Sequence, residues 1–302
     1  MKIILALVLT AMLAVSVFAV HAAAVGTDPS SKLLAEWNFD DQNTNDSKGS
    51  NNATFMSGSE AATATYVDGA AGKALQLSAT SSDNFWLSVP YAAFGDSRDS
   101  FSLSIWYNAT GLSERGQSSQ LLTFTNSNGA ERVFWGPAVN ADVNFAFTGK
   151  DPSYGYANFG GGVTYVPNTW THLVLCVKPE NDQSKIIAYV NGVEQAVDQG
   201  GDWANTLMSA MNIDTLTIGG YASFMENPHA PVFYGAVDEI GLYSGVLSAE
   251  EAAYLYDVVI NPPVDQTPDE TPSNPATGAL SVLVFAVPAI GVAGIVASKK
   301  RH

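Results

Sequence analysis

Between residues 31 and 260 the chain consists of short runs in which apolar and polar residues alternate, separated by turn residues. A period of two sends successive side chains to opposite sides of a strand, so each run offers one apolar face for burial. The pattern predicts strands at 33–39, 74–77, 85–89, 101–106, 120–125, 132–135, 143–147, 170–177, 185–190, 215–218 and 233–243. In 101–106, Phe101, Leu103 and Ile105 make the core face, and Ser102, Ser104 and Trp106 the other. Trp106 is expected on the concave side of a sheet or beneath a loop. Asn191-Gly192 separates the runs 186–190 and 193–196, and that dipeptide suits a two-residue hairpin turn. One helix is expected, where Ser248 and Glu251 form a capping box ahead of Ala252-Ala253-Tyr254-Leu255-Tyr256. There is no repeat and no internal linker. Many strands joined by turns, with one late helix, read as an all-β, two-sheet antiparallel sandwich carrying a short C-terminal helix.

The two ends depart from this pattern. Residues 1–24 are a charged start (Lys2), an apolar run and a small-residue stretch ending Ala22-Ala23-Ala24, the arrangement of a secretory signal peptide. Residues 261–273 are rich in Pro and acids and read as an extended, solvated linker. Residues 279–298 carry no charge, long enough as a helix to cross a bilayer core of about 30 Å, and Lys299-Lys300-Arg301 follows as a cytoplasmic stop.

Composition narrows the field. The 302 residues hold 13 Lys+Arg against 29 Asp+Glu, a net charge of −16, and removal of both ends takes four basic residues and no acid. That sign argues against nucleic acid as a partner. One cysteine excludes an intrachain disulfide and a thiolate zinc cluster. Cys176, in an apolar strand with no basic neighbour, reads as a buried small hydrophobe.

Two resemblances follow from these segments. Asn274-Pro275-Ala276-Thr277-Gly278, the apolar stretch and the basic tail resemble the cell-wall sorting signals of Gram-positive bacteria, with Asn274 where Leu is commonest. The resemblance implies that 274–302 is such a signal, that sortase cuts between Thr277 and Gly278, and that the product is joined to peptidoglycan after holding to the membrane through helix 279–298. In the body, Leu34-Ala35-Glu36-Trp37-Asn38-Phe39-Asp40, Gly72-Lys73-Ala74-Leu75-Gln76-Leu77, Phe101-Ser102-Leu103-Ser104-Ile105-Trp106, Trp170-Thr171-His172-Leu173, Tyr189-Val190-Asn191-Gly192 and Gly235-Ala236-Val237-Asp238-Glu239-Ile240-Gly241-Leu242-Tyr243 occur in that order. The series resembles the laminin-G-like branch of the concanavalin A-like lectin/glucanase fold. It implies a jelly-roll sandwich over 31–260, often calcium-bound, used for binding glycans or proteins.

An active site is not evident. Glucanases of related fold need two carboxylates flanking one bond, and the strand motif Glu-x-Asp-x-x-Glu is absent. Asp238-Glu239 is the strongest acidic pair, but neighbours in a strand face opposite ways. His172 occupies a family strand position and is expected to be structural. Binding is the alternative. Phe145, Tyr154, Tyr156, Trp203 and Tyr221 lie among Gly, Asn and Asp. Such rings stack on the apolar face of a sugar, or else pack their own loops onto the sandwich. The family resemblance implies a calcium ion near the first and last strands, and Asp40, Asp46 and Asp238 are its expected ligands, with Asn51 as a carbonyl donor. The rival reading makes Asp46 and Asn51 turn formers.

The sequence therefore reads as a secreted, surface-anchored, non-catalytic binding module for a glycan or an extracellular protein, adhesin-like in role. A surface glycoside hydrolase or a purely structural domain are the alternatives. Thr277→Ala should leave the protein in membrane and medium. Equal amounts of muramidase-released protein from mutant and wild type would exclude sortase anchoring.

Overall fold

The computed structural model describes residues 26–58, 60–79, 83–111, 120–125, 132–137, 143–148, 154–159, 166–201, 207–210, 213–220 and 233–262, with the strands at 132–137, 143–148 and 154–159 as backbone. The expected signal peptide 1–24, Trp203, Tyr221, and the linker and sorting signal from 263 onward, including Thr277 and Gly278, lie outside them. No helix among the described residues is long and apolar enough to cross a membrane.

Two antiparallel sheets form the body. The first contains β1 (Leu33–Trp37), β4 (Thr65–Asp68), β5 (Lys73–Gln76), β7 (Phe101–Gly111), β12 (Trp170–Glu180), β13 (Gln183–Val190), β14 (Val193–Gln195) and β17 (Tyr234–Ser244). Its order is β14-β13-β12-β7-β17-β5-β4, with β1 also on β17. The second contains β2 (Thr54–Ser57), β3 (Glu60–Ala61), β6 (Phe85–Pro90), β8 (Leu122–Thr125), β9 (Arg132–Pro137), β10 (Val143–Thr148), β11 (Tyr154–Phe159), β15 (Val197–Gly201) and β16 (Thr215–Ile218). Its order is β15-β11-β10-β9-β8-β16-β6-β2-β3. The expected sandwich is what folds.

The core lies between the sheets, where Trp37, Leu75, Leu87, Phe101, Leu103, Ile105, Phe124, Leu175, Ile218 and Leu242 are buried. Removing a ring such as Phe101 would cost about 3–5 kcal/mol, the transfer energy plus the cavity left behind. Each Phe101–Ile105 alternate faces this core as expected. The opposite residues meet partners on the outer side of the first sheet: Ser102 donates to Cys176 Sγ at 3.1 Å, and Ser104 Oγ lies 2.8 Å from His172 Nε2.

That outer side is covered by the helix α1 (Ala249–Ile260). Its capping box is complete: Glu251 N donates to Ser248 Oγ at 3.2 Å, and Ser248 N to Glu251 Oε2 at 2.7 Å. Lys32 Nζ reaches the same Glu251 oxygen at 2.7 Å, joining the N-terminal segment to the helix start. Trp106 lies beneath the helix rather than on a concave face. Its ring stacks on Tyr256 at 5.5 Å and on His172 at 5.1 Å. The reason is that β7 is central in the first sheet, and the side of that sheet away from the core is the one α1 caps. The turn Asn191-Gly192 takes positive φ at both residues (49° and 76°), and a side chain on Gly192 would press on Ala253 of α1.

The aromatic stretch at 154–159, read from sequence as loop, is the strand β11, and 197–201 is the strand β15 that closes that edge. Glycines inside both segments lowered their strand signal.

His172 is fully buried, and burial holds its ring far below the usual value, at about 3. The folded chain therefore keeps it neutral where the unfolded chain binds a proton. Stability from this group is complete above about pH 6.5 and is lost as pH falls toward 3, by about 1.4 kcal/mol per pH unit. Acid titration of the unfolding free energy should show a slope one proton shallower between pH 6 and 4 for His172→Gln than for wild type.

Candidate functional site

Two groups of predicted residues can be placed. The first is the acidic set. Phe39 adopts φ 62°, a left-handed conformation uncommon outside glycine, and this turns Asp40 back toward the β4–β5 hairpin. There Lys73 N donates to Asp40 Oδ1 at 2.9 Å. On β17, Ala71 N donates to Asp238 Oδ2 at 3.1 Å. Both carboxylates thus rest on one turn, Gly69-Ala70-Ala71-Gly72, closed by a Gly69 N to Gly72 O hydrogen bond of 3.1 Å. The turn needs its glycines. A Cβ on Gly72 (φ 46°) would collide with Asp40, and one on Gly69 would fill the space bordered by Asp238 Oδ2 and the Ala71 carbonyl oxygen.

The electrostatics of this cradle are unbalanced. Asp238 is fully buried; burial foremost, with Asp40's charge adding, pushes its carboxyl up to about 7 despite the Ala71 and Glu239 amides that favour the anion. Glu239 is pushed up to about 8 by burial and then by Asp238, Glu36 and Asp40. Burial is the main cause in both, and the neighbouring acids add to it.

Asp46 and Asn51 do not join this cradle. Asp46 Oδ1 accepts from Glu36 N at 3.1 Å and Lys48 N at 2.9 Å, and Oδ2 accepts from Asn51 N at 3.0 Å. Burial raises its pKa, but these amides with that of Gly49 outweigh burial and hold it below the ordinary value. The Asn51 carbonyl is taken by Trp37 Nε1 at 3.1 Å. Both residues organise their own loop. No three His, Cys, Asp or Glu side chains gather for a metal among the described residues. Two carboxylates and one carbonyl oxygen do converge, a hard oxygen set of the kind calcium takes. The fit is therefore partial: Asp40, Asp238 and the Ala71 carbonyl suit the ion, and Asp46 does not take part. Sequence reasoning missed Ala71, because a carbonyl turned inward leaves no residue-type signal.

Asp238 and Glu239 do not alternate as an unbroken strand would require. Glu239 has φ 46° and the register with β7 slips between Asp238 and Gly241. The bulge still divides them: Asp238 serves the β4–β5 turn, while Glu239 lines a cavity under α1. They do not flank one site.

The second group is aromatic and lies on the second sheet. Its ladders set out alternating rows. One runs Phe55, Leu87, Ile218, Leu122, Trp135, Phe145, Ala157, and its members Phe55, Leu87, Ile218 and Leu122 are core residues. The next runs Ser88, Thr217, Thr123, Phe134, Ala146, Tyr156. Thr125, Arg132, Thr148 and Tyr154 form a third, parallel to it. Register thus places Phe145 on the ladder row of Leu122, and Tyr154 and Tyr156 on the alternate rows. Thr123, Thr125 and Thr217 are themselves buried, so the aromatic positions of these polar rows lie at the β9–β10–β11 end of the sheet.

Residues 80–253 match the laminin-G family described as the concanavalin A-like lectin/glucanases superfamily. The chain belongs to that superfamily. Among solved structures it is similar to domain 4 of AbnA, a GH43 extracellular arabinanase from Geobacillus stearothermophilus in complex with arabinotriose, with TM-score 0.56, 21% identity, and coverage of 74% of this chain and 98% of that one. It is also similar to the binding domain of Paraclostridial Mosquitocidal Protein 1 (TM-score 0.55, 14% identity, 78% and 54% covered). A further similarity is to botulinum neurotoxin type C, whose cell entry depends on two ganglioside molecules (0.54, 12%, 76% and 52%). The chain spans about half the length of these toxin chains. No match is found among curated proteins.

The acidic cradle makes a prediction for this superfamily member. Without a cation, Asp238 and Glu239 hold protons in the folded chain at pH values where the unfolded chain has released them. Stability should then fall as pH rises from about 4 to about 8. Melting in chelator should show that decline, millimolar calcium should remove the share that belongs to Asp238, and Asp238→Asn should remove the same share together with the calcium shift. Identical profiles with and without calcium would exclude a metal here.

Proposed function

We propose that the protein is a secreted, non-catalytic glycan-binding module held on a Gram-positive cell surface, with one structural calcium ion. The observation that carries the reading is the register of β11, which sets Tyr154 and Tyr156 two positions apart on one row side at the β9–β10–β11 end of the second sheet. Aromatic rings suit a sugar, because a ring covers the apolar face of the pyranose or furanose. The likeness to an arabinanase domain seen with arabinotriose supports the same class of ligand. Separation of Asp238 from Glu239 supports a binding role over hydrolysis. Sortase anchoring through Thr277 and Gly278 and export by residues 1–24 rest on the sequence pattern alone.

Asp40, Asp238 and the Ala71 carbonyl would hold the calcium. Bound there, it would supply positive charge between the first strand, the β4–β5 turn and the last strand. These residues position the ion and orient the N-terminal segment; they do no chemistry on a substrate.

The test is binding of arabino-oligosaccharides and a wider glycan array, with reducing-sugar release measured in parallel. Tyr156→Ala and Trp203→Ala should each weaken glycan binding by about 1–2 kcal/mol, the scale of an aromatic stacking contact. A lowered melting temperature with unchanged affinity would assign these rings to packing, and release of reducing ends would make the protein a hydrolase.

A further inference from the structure

A cavity of about 220 Å³ lies on the other sheet, between the outer side of β1, β7 and β17 and the helix α1. Ser104, Trp106 and Gly241 line its sheet side, and Val258 and Val259 its helix side. Three carboxylate residues reach it: Asp28 from the N-terminal segment, Glu36 from β1 and Glu239 from the bulge of β17. No Lys, Arg or His lines it. The nearest N-terminal cation, Lys32, is held by Glu251.

The decisive group is Tyr243. It is 5% exposed, and its hydroxyl makes no hydrogen bond among the described residues, though it lines this cavity. Its ring lies along the sheet over Gly241, where a Cβ would come within 2.7 Å of the hydroxyl oxygen. Glycine at 241 is thus what lets the phenol lie flat with its oxygen at the cavity. Burial and the charges of Glu36, Glu239 and Asp28 all push its ionisation upward, which places those carboxylates around the phenol. Glu36 gives one oxygen to Ser47 Oγ at 2.7 Å, and Glu239's carboxylate has no donor among the described residues. The cavity thus brings three carboxyl residues and an unpartnered phenol together with no cationic side chain in its lining. Asp28 is exposed and Glu36 and Glu239 are half-buried, whereas Tyr243 is buried, and a buried hydroxyl without a partner costs free energy until one arrives.

We propose that this cavity binds a small primary ammonium group. A cation answers the unbalanced carboxylates, and the three N–H donors of a primary ammonium match Glu36, Glu239 and the Tyr243 oxygen. The volume is below the roughly 300 Å³ of the smallest drug-sized sites, so the ligand is an aminoalkyl chain or a single amino sugar. Trp106, Tyr254, Leu33 and the valines of α1 give the carbon part an apolar wall. The site is independent of the glycan rows, which belong to the opposite sheet.

The test is calorimetric titration of the calcium-saturated protein with n-butylammonium at constant ionic strength, against n-butanol and tetramethylammonium. Saturable binding of n-butylammonium is expected, at least about tenfold tighter than either control. Glu239→Gln, which keeps shape and removes charge, should weaken it about tenfold, and Tyr243→Phe a few-fold, with the melting temperature and calcium shift of each variant retained. Glu36→Gln provides the same measurement should Glu239→Gln fail to fold. Nα-acetyl-lysine methylamide and glucosamine then separate a peptide-borne from a sugar-borne amine. Equal binding of n-butanol or tetramethylammonium, no saturable heat with n-butylammonium, or folded Glu-to-Gln variants with unchanged affinity would overturn the proposal.

Discussion

The structure depends on where the last strand goes. β17 pairs along its length with β7, and on its other edge with β5 at one end and β1 at the other. Residues 33–37 and 240–243, about 200 positions apart, are joined by this one strand. Closing so long a loop costs entropy before any contact rewards it. That cost is offset by a wholly apolar row, in which Val237, Ile240 and Leu242 enter the core beside Trp37 and Leu103. The bulge at Glu239 lies in the middle of this strand and separates two sites that would otherwise have shared a face.

The outer side of the first sheet shows the same economy. A strand buried on both faces is expected in parallel sheets, yet β7 is buried over Phe101–Tyr107 in this antiparallel one. The helix makes this tolerable. Ser102, Ser104 and His172 would be exposed polar residues on an open sheet. Under α1 Ser104 bonds His172, Ser102 bonds Cys176 and the Gly245 carbonyl, and Trp106, His172 and Tyr256 stack in one pile. The helix therefore acts as a third layer, stapled by Ser248, Glu251 and Lys32, and it roofs the cavity that Tyr243 and Glu239 line.

Charge is distributed with the same logic. Asp46 is satisfied by amides of its own loop and is held below the ordinary value, whereas burial first, and neighbouring acids second, push Asp238 and Glu239 upward. Identical side-chain chemistry thus has opposite behaviour according to whether backbone donors or burial dominates. An acidic chain gains solubility from its exposed carboxylates.

The sequence by itself determined the sandwich, most of its strands, the Asn191-Gly192 turn and the capped helix, because a period of two, turn chemistry and a capping box are local and survive without neighbours. It marked Asp40 and Asp238 as partners through their place in the first and last strands. It did not find β11 and β15, whose glycines hide a strand that only the sheet edge stabilises. It placed Phe145 with Tyr154 and Tyr156, because a cluster of rings in one stretch says nothing about which row of a ladder each joins. Register is a property of two strands together, so only the tertiary structure set Phe145 and the two tyrosines on different ladder rows, left Asp46 to its own loop, and brought the Ala71 carbonyl to Asp238. The cavity beneath α1 belongs wholly to that level: Asp28, Glu36, Glu239 and Tyr243 share no sequence pattern, and they meet only because a bulge and a helix bring them together.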